Sequence, residues 1–414
     1  MPVHKICIVG GGIIGLMQAY YLRQNGYDVT VIDATDITTN TSFGNAGLLS
    51  PFEKYPLSYP GVVTSTLKLM IERKSPLIIH PSLDPKLYRW LWKFVQNANP
   101  ERLKKTLILF ERYGEMAMEG YEKLQNEGLI FEMYRNGLLL LFTEQKSYQM
   151  RKSEAEDSPY YRILTQSEIE NYVPVARKEK IAGALLLKRN GHISPGSLMR
   201  SLKYRLREEG VKLHLNTRIE SFERDHGRIR AALSSNERFE ADLFIMATGA
   251  DLSLAEDLGR NPLMIPAKGY SLTFEMEERL KPKTATMFYD IFTILSPRKE
   301  DVRITSKLEL NVADQIPHHR MIEKILATLK EYTVDFELKN ARPWAGVRPL
   351  TPNDMPLIGR DEAYHNLVWA TGLGWLGITF APAIAQILTE LITKEQTNAQ
   401  NDDILLFSGF YQGC

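Results

Sequence analysis

Three glycines near the start of the chain have the spacing of a phosphate-binding turn. Gly10, Gly12 and Gly15 form the pattern G-x-G-x-x-G directly after an apolar run, and Asp33 closes a second apolar run. In such a turn the glycines allow a tight bend, a close approach of the backbone to a pyrophosphate and close packing of the next helix. N–H groups at the start of that helix bind phosphate oxygens, and the acid accepts hydrogen bonds from a ribose. The pattern therefore predicts a dinucleotide site.

The elements that must position these residues are a strand, a helix and a second strand. The sequence predicts strands over 5–9 and 28–32, with a helical run over 16–25 that stops at Gly26. A cleaved secretion signal does not fit, because the stretch lacks a small-residue cleavage site and continues straight into the second strand.

Glycines also follow predicted strands in the middle and near the end of the chain. The strand over 243–246 leads into Ala247-Thr248-Gly249, and the strand over 367–370 leads into the cluster Gly372, Gly374 and Gly377 before a helix over 379–392. A nicotinamide dehydrogenase would place most of its nucleotide-binding signals in one block. The split pattern favours a flavoprotein, in which a helix N-terminus stabilises the negative charge of the reduced ring. Flexible residues before a helix are the plainer alternative.

Composition excludes several classes of function. The 414 residues suffice for two domains, and 51 Lys and Arg against 50 Asp and Glu give no surplus that would favour nucleic acid. Cys7 and Cys414 predict neither a disulfide framework nor a metal cluster, which favours a reducing compartment. No apolar run approaches the roughly 18–20 residues that would span a bilayer.

Start and stop signals place the other elements. A long loop is predicted over 34–61, with Thr41-Ser42-Phe43-Gly44-Asn45-Ala46-Gly47 at its centre. Helices begin at Asp84-Pro85, at Asn99-Pro100 and at Ser194-Pro195, because proline is favoured in the first helical turn. The pattern from Lys268 to Leu310 predicts strands of a mixed sheet.

Several of these motifs, in this order, resemble the D-amino-acid oxidase superfamily of FAD-dependent oxidoreductases, and within it most closely the bacterial D-amino-acid dehydrogenase branch. The matching segments cover nearly the whole chain: Gly10–Gly15 with Asp33, Thr41–Gly47, Lys268-Gly269-Tyr270-Ser271, Gly346–Asp354, Pro356-x-Ile358-Gly359 and Thr371–Gly377. The resemblance implies an α/β fold (α+β overall), with a Rossmann-type FAD-binding domain interleaved with a mixed-sheet substrate-binding domain that carries helices. The expected domains are 1–60, 160–262 and 340–414 for FAD, and 61–159 and 263–339 for substrate.

The resemblance also assigns site residues. Arg348 would bind a substrate carboxylate through two parallel hydrogen bonds, and Tyr289 and Tyr270 complete the candidate catalytic set. From the sequence alone, a surface or ion-paired arginine and two core or surface tyrosines are the alternatives. The expected cofactor contacts are Gly10, Gly12, Ile13, Ile14, Gly15, Asp33, Ala34, Thr41, Ser42, Asn45, Ala46, Gly47, Leu48, Ala247, Thr248, Gly249, Gly346, Arg348, Gly372, Gly374, Trp375, Leu376, Gly377, Ile378 and Thr379.

The implied reaction is FAD-dependent oxidative deamination of a small or cyclic D-amino acid, such as D-alanine or D-proline. Hydride passes from the α-carbon to flavin N5, the product is a keto acid plus ammonia or a cyclic imine, and the electrons go to a quinone. FAD is expected to be noncovalent, and no metal is expected. Two alternatives stay open: an oxidase of the glycine/sarcosine or D-amino-acid type, and a non-catalytic flavin-binding subunit. Many members carry His where this chain has Leu373, which puts the substrate or acceptor preference in doubt.

The segment 67–95 mixes apolar and basic side chains and includes Trp90 and Trp92. Basic amphipathic segments with tryptophan lie in bilayer interfaces. The expectation is a cytoplasmic protein that is peripheral on the inner face of the cytoplasmic membrane. A helix that only covers the substrate domain is the alternative.

Overall fold

Strands and helices alternate along the chain. The structure is a computed structural model that describes residues 3–51, 57–62, 75, 77–80, 82–156 and 158–395. The strands are β1 (Lys5–Val9), β2 (Asp28–Ile32), β3 (Leu48–Leu49), β4 (Leu77–Ile79), β5 (Met133–Tyr134), β6 (Leu138–Phe142), β7 (Tyr161–Ile163), β8 (Gly183–Leu187), β9 (Gly191–Ile193), β10 (Lys212–His214), β11 (Ile219–Asp225), β12 (Arg228–Ser234), β13 (Arg238–Glu240), β14 (Leu243–Met246), β15 (Ile265–Glu275), β16 (Ala285–Phe288), β17 (Thr293–Pro297), β18 (Val302–Leu310), β19 (Lys339–Leu350), β20 (Leu357–Arg360) and β21 (Leu367–Thr371). The helices are α1 (Ile13–Gln24), α2 (Pro85–Asn97), α3 (Pro100–Asn126), α4 (Gln145–Ala155), α5 (Gln166–Tyr172), α6 (Pro195–Glu208), α7 (Ser253–Asp257), α8 (His319–Lys330) and α9 (Gly377–Glu395).

A six-stranded sheet has the order β10-β2-β1-β14-β21-β20. Its strands run parallel except β20, which is antiparallel to β21. The predicted β1-α1-β2 unit is confirmed, although α1 begins at Ile13 rather than at Leu16. The reason is that Gly12 is the N-cap, so the last glycine of the motif already belongs to the first helical turn.

Helices α1, α3, α6 and α9 cover one face of this sheet. In α3 the buried side chains include Phe110, Tyr113 and Tyr121, and the Tyr121 hydroxyl donates to the carbonyl oxygen of Ile378 in α9. The contact is close, because a Cβ atom on Gly120 would lie 2.4 Å from Pro382. Helix α3 thus packs with the parallel sheet, although the sequence analysis assigned 61–159 to the substrate domain.

A second, mixed sheet has nine strands in the order β19-β15-β18-β17-β16-β6-β8-β7, with β4 beside β18. One of its faces packs on an apolar core that includes residues of α5 and α8. Strands β7 and β8 lie in this sheet, although the sequence analysis placed residues 160–262 in the FAD-binding domain. The division into two domains stays a prediction, with 161–187 on the side of the mixed sheet.

Two small sheets complete the fold. One is the antiparallel sheet β11-β12-β13. The other, β3-β9-β5, anchors the chain directly after the 41–47 loop, because β3 pairs with β9. Gly47 permits this approach: its φ is +78°, and a Cβ atom there would lie 2.1 Å from the Ile193 carbonyl oxygen.

The two tryptophans of helix α2 differ in burial. The Trp90 side chain is buried, stacks on Phe94 at a centroid distance of 5.1 Å, and donates from Nε1 to the Leu350 carbonyl oxygen at 2.9 Å. Trp92 is 57% exposed, and Leu83, just before the helix, is fully exposed. Residues 67–74, 76 and 81 of the predicted membrane segment lie outside the described residues. Within the described part of the chain, no helix has the length and apolar character needed to cross a bilayer.

Replacing each tryptophan separately tests this difference. We expect Trp90→Ala to lower the free energy of unfolding by about 3–5 kcal/mol, since it empties a core site and leaves a buried carbonyl unpaired. Trp92→Ala is expected to change it by less than about 0.5 kcal/mol. Urea denaturation measures both, and equal effects of the two substitutions would contradict the assignment.

The turn after β19 buries a carboxyl group. Asp354 has a φ of +59°, and its Oδ2 accepts from the backbone N of Ser58 at 2.9 Å and from its Oγ at 3.3 Å. Burial raises the pKa of Asp354 to about 6, because desolvation outweighs these hydrogen bonds. The folded pKa therefore lies above the unfolded value of roughly 3.9. The protonated acid stabilises the fold at low pH, and that contribution is lost as the pH rises from about 4 to 6.

Asp354→Asn should remove this pH dependence. Asparagine resembles the protonated acid and tolerates a positive φ. We expect its stability advantage over the wild type to grow between pH 4 and pH 6, to about 3 kcal/mol, and then to stay constant. Urea denaturation at several pH values measures it, and an advantage that does not change with pH would show that Asp354 ionises freely.

Candidate functional site

A cavity of about 640 Å³ lies where the carboxyl ends of the parallel strands face the end of β19. One end is lined by the β1–α1 turn and Asp33, and the other by Arg348, Leu373 and Gly374. Its volume lies in the range of about 300–1,000 Å³ that is common for ligand sites. Parallel sheets bind ligands at this edge, so the position is that of a nucleotide site.

The β1–α1 turn has room for backbone only. Gly10 has a φ of +113° and donates from its N to the Ile32 carbonyl oxygen at 2.8 Å. A Cβ atom on Gly10 would lie 2.3 Å from the Ala247 carbonyl oxygen, and one on Gly15 would lie 1.8 Å from the carbonyl oxygen of Gly10. The first turn of α1 carries no acidic side chain. Its N–H groups and positive dipole end are therefore suited to a phosphate group.

Asp33 orders this turn from the end of β2. Its Oδ2 accepts from the backbone N of Gly11 at 2.6 Å, and its Oδ1 accepts from the N and Oγ1 of Thr35 at 2.7 and 2.6 Å. Each carboxylate oxygen can accept more than one hydrogen bond, so the side chain keeps capacity for a ribose hydroxyl. Its place on the cavity wall agrees with the predicted role.

The loop 41–47 joins the two large sheets at the cavity. Ser42 Oγ accepts from the backbone N of Ile13 at 3.1 Å, which places it at the start of α1. Thr41 Oγ1 accepts from the N of Val347 at 3.1 Å and donates to its carbonyl oxygen at 3.0 Å. Because β19 is an edge strand of the mixed sheet, the loop satisfies backbone groups that would otherwise be unpaired.

The Trp344 ring is the reason that two motif positions have no room for a side chain. Its indole occupies the space that side chains would need at Gly44 and Gly346, because Cβ atoms there would lie 2.1 Å and 1.9 Å from the ring. Gly346 was predicted as a cofactor contact, but the structure places it under Trp344 and not in the cavity wall. The two glycines let the loop lie flat on β19.

Arg348 lies at the end of β19, and its guanidinium faces the cavity. It rests against Gly269, where a Cβ atom would lie 3.1 Å from Nη2. Burial lowers the pKa of Arg348 to about 10, so the group is charged at neutral pH. Among the described residues it has neither a carboxylate partner nor a hydrogen-bond acceptor. A desolvated guanidinium without a counter-ion is a ready site for an anion.

The loop before α9 brings a second helix N-terminus to this end of the cavity. Gly372 and Gly374 have φ values of +76° and +52°. The N of Gly374 donates to the Pro349 carbonyl oxygen at 2.9 Å, and Leu373 forms a β-bridge with Leu350. These contacts fasten the start of α9 beside Arg348.

The structure brings most of the predicted cofactor residues to the cavity. Those that line it are Gly10, Gly12, Ile13, Ile14, Asp33, Ala34, Thr41, Ser42, Asn45, Ala247, Thr248, Gly249, Arg348, Gly374, Gly377 and Ile378. Those outside its lining are Gly15, Ala46, Gly47, Leu48, Gly346, Gly372, Trp375, Leu376 and Thr379. The roles of both groups toward FAD stay predictions.

The two candidate catalytic tyrosines do not reach the cavity. Tyr270 is fully buried in the core of the mixed sheet, and its hydroxyl donates to Glu309 Oε1 at 2.5 Å. Its neighbour Ser271 lies on the opposite face and donates to the Gly44 carbonyl oxygen at 3.2 Å. Tyr289 follows β16, four strands from β19, where its ring packs on Phe142 at 4.9 Å. Arg348 is the one member of the predicted catalytic set that lines the cavity.

Several lining residues were missed. They are Val9, Ile32, Asn40, Thr217, Arg218, Ile219, Ala250, Asp251, Leu252, Ser253, Leu254, Glu256, Ala313, Gln315, Val347, Pro349, Ala370, Thr371 and Leu373. Many lie at or just after the carboxyl ends of β1, β2, β10, β14 and β21. The rule that parallel sheets bind ligands at these ends would have found them.

The site fits FAD on three observations. The β1–α1 turn is a cradle that a Cβ atom would fill, and the cavity is lined by that turn and by the start of α9. The guanidinium of Arg348, which has no carboxylate partner among the described residues, also lines it. A dinucleotide with a second, redox-active ring system needs such a two-ended cavity.

Comparison with known proteins also indicates FAD as the cofactor. The family model described as FAD dependent oxidoreductase matches residues 5–391. A D-amino acid dehydrogenase of Helicobacter pylori is 43% identical over 408 residues, which cover 99% of each chain. Among solved structures, glycine oxidase from Bacillus cereus has a TM-score of 0.70 at 17% identity and covers 98% of each chain. L-Proline dehydrogenase from P. horikoshii has a TM-score of 0.71 at 18% identity and covers 95% of each chain.

The structural likenesses confirm the predicted α/β fold with a Rossmann-type nucleotide-binding sheet. The match to the family model covers nearly the whole described chain and agrees with a cavity built for FAD. On this basis the chain belongs to the family of FAD-dependent oxidoreductases.

Proposed function

We propose that this protein is a FAD-dependent D-amino acid dehydrogenase that delivers its electrons to a quinone. Its substrates are small or cyclic D-amino acids, which give a keto acid plus ammonia, or a cyclic imine in the case of D-proline. The observation that carries the proposal is the guanidinium of Arg348 in the wall of the cofactor cavity, which has no partner in the part of the chain that the structure describes. The name of the Helicobacter pylori relative supports the same activity.

Chain residues at both ends of the cavity would hold FAD. The β1–α1 turn and Ser42 are placed for the pyrophosphate, Asp33 for a ribose, and Gly374 and Gly377 for the flavin ring. When bound, FAD supplies the group that accepts a hydride from the substrate α-carbon.

Arg348 would orient the substrate. A guanidinium forms two parallel hydrogen bonds to a carboxylate, and this fork fixes the direction of the α-carbon as well as its position. The described lining contains no histidine, and its carboxylates lie at the end of β2 (Asp33) and in the segment after β14 (Asp251 and Glu256). We therefore infer that the substrate binds with its amine already neutral.

Anaerobic bleaching of the purified holoenzyme tests the function. Small or cyclic D-amino acids should bleach the flavin absorbance, and their L-enantiomers should not. A short-chain quinone should then restore the absorbance faster than oxygen does. Rapid peroxide formation without quinone reduction would make the protein an oxidase, and a flavin that no amino acid bleaches would make it a non-catalytic subunit.

Arg348→Ala should keep FAD and lose turnover. An unpaired substrate carboxylate costs about 2–5 kcal/mol, so kcat/KM for a D-amino acid should fall by about 30-fold to several thousandfold. Arg348→Lys should recover only part of the loss, because a point charge cannot replace the fork.

Arg218→Ala is the matched control for Arg348. Arg218 also lines the cavity, but it is exposed and paired with Asp251 at 2.7 Å. At saturating FAD, its kcat/KM should stay close to that of the wild type. A near-normal kcat/KM in Arg348→Ala would remove Arg348 from the substrate site.

FAD is proposed to be bound without a covalent link. Cys7 is buried within β1, and burial raises the pKa of its thiol to about 12, so it is not a nucleophile toward the flavin. Cys414 lies outside the described residues. Acid precipitation should release a yellow supernatant with the spectrum of FAD, and colour that stays in the protein pellet would contradict the proposal.

We also propose that the protein binds peripherally to the inner face of the cytoplasmic membrane through α2. Tyr88, Trp92 and Val95 on this helix are at least half exposed. Basic side chains lie among them, with Lys93 Nζ 5.3 Å from the centre of the Trp92 ring. This mixture of aromatic, apolar and basic groups suits an anionic lipid surface.

Flotation with anionic liposomes tests the membrane proposal. Trp92→Ser should weaken binding and leave turnover with a short-chain quinone unchanged, because its side chain is exposed and does not line the cavity. Ile130→Ser is the control, since Ile130 is 88% exposed but lies outside α2. Binding should also weaken with salt, as exposed charges are screened within about 10 Å at 0.1 M ionic strength. Equal flotation of wild type and Trp92→Ser would exclude α2 as the contact.

A further inference from the structure

A buried arginine of the mixed sheet lies under the 41–47 loop. Arg303 in β18 is 7% exposed. Its Nη1 donates to the carbonyl oxygens of Phe43 and Asn45, at 2.9 and 2.7 Å. Its Nε donates to Thr273 Oγ1 at 2.9 Å on the neighbouring strand β15. One side chain thus ties the sheet to the loop.

The acid near Arg303 is paired with other arginines, so the guanidinium of Arg303 binds the loop instead. Asp301 is the nearby acid, but Arg298 binds it at 2.6 Å and Arg342 lies 3.4 Å from it. Arg303 forms no ion pair with a carboxylate in the part of the chain that the structure describes. Burial lowers the pKa of Arg303 to about 9, which reflects the cost of holding a charge there. Hydrogen bonds to carbonyl oxygens offset part of that cost.

The loop carries this interaction to the cofactor cavity. The Phe43 and Asn45 carbonyls lie on either side of Gly44, whose flat contact with Trp344 fixes the middle of the loop. Ser42 and Asn45 line the cavity, and Ser42 Oγ meets the start of α1. Arg303 does not line the cavity, so it acts on the cofactor through the loop alone.

We propose that Arg303 is a positioning residue for FAD, which it serves by holding loop 41–47 in the conformation that presents Ser42 and Asn45 to the cofactor. The two carbonyl contacts fix the loop on both sides of Gly44, and Thr273 fixes the guanidinium plane. The inference rests on FAD as the cofactor and not on the identity of the amino acid substrate. A failure of this inference is therefore distinguishable from a failure of the proposed D-amino acid activity.

The test compares FAD release from purified holoenzymes, measured by the fluorescence of free FAD on serial dilution. Arg303→Met keeps the apolar stem and removes all three hydrogen bonds. We expect its Kd for FAD to rise at least about tenfold, the loss anticipated for charge-assisted bonds. Arg303→Lys keeps the charge but cannot reach all three acceptors at once, so its Kd should lie between those of the wild type and Arg303→Met.

Arg342→Met is the matched control, because Arg342 belongs to the same charge cluster but is exposed. Its Kd for FAD should equal that of the wild type. At saturating FAD, folded Arg303→Met should recover the wild-type KM for its substrate, which separates a loss of cofactor positioning from general damage. A Kd within twofold of the wild type in folded Arg303→Met overturns the proposal. If that variant does not fold, a Kd within twofold in Arg303→Lys overturns it.

Discussion

The contact between loop 41–47 and the edge of the mixed sheet joins the parallel sheet to the mixed sheet, and each sheet supplies part of the cavity lining. Thr41 pairs with both backbone groups of Val347, and Ser42 reaches the start of α1. The nucleotide turn belongs to the parallel sheet and Arg348 belongs to the mixed sheet, so neither half contains a complete site. Together with the contacts of Leu373 and Gly374 at the end of β19, this loop fixes the position of the phosphate-binding turn relative to the guanidinium. Gly44 and Gly346 lie against Trp344, and their lack of side chains lets the loop lie flat on the sheet.

Arg303 and Arg348 show how two desolvated guanidinium groups can take different roles. Both lose hydration, and the pKa of each is lowered for that reason. The donors of Arg303 are used by a hydroxyl and two carbonyl oxygens. Arg348 faces the cavity and has no acceptor in the described structure. The first arrangement stabilises a loop, whereas the second favours the entry of an anion.

The sequence predicts the parts of the site whose structure is set by residues close together in the chain. The turn with Gly10 and Gly12 is set by its own strand and helix, and the structure places it on the cavity wall. Contacts between distant segments could not be predicted in this way. Gly346 needs no side chain because of Trp344, and the spacing of the motif does not show this. Tyr270 faces away because adjacent strand residues point to opposite faces, and its sequence does not reveal which face meets the cavity.

The same limit applies to the domains. The pattern of α3 identifies a helix with one apolar face, but it does not say which sheet that face covers. Strand β8 likewise joins the mixed sheet by pairing with β6, about 45 residues before it, and β7 joins by pairing with β8, about 25 residues after it. Local periodicity gives the elements reliably, and the partners come only from the tertiary fold.

The central claim is that one cavity holds FAD and a substrate carboxylate that Arg348 binds. The most direct test is a titration of wild-type and Arg348→Met holoenzymes with pyruvate, the keto acid product of D-alanine, followed by flavin absorbance. The wild type should show a saturable spectral change, and the variant should bind at least about tenfold more weakly while it retains FAD. Equal affinity of the two holoenzymes for pyruvate would show that the carboxylate is held elsewhere.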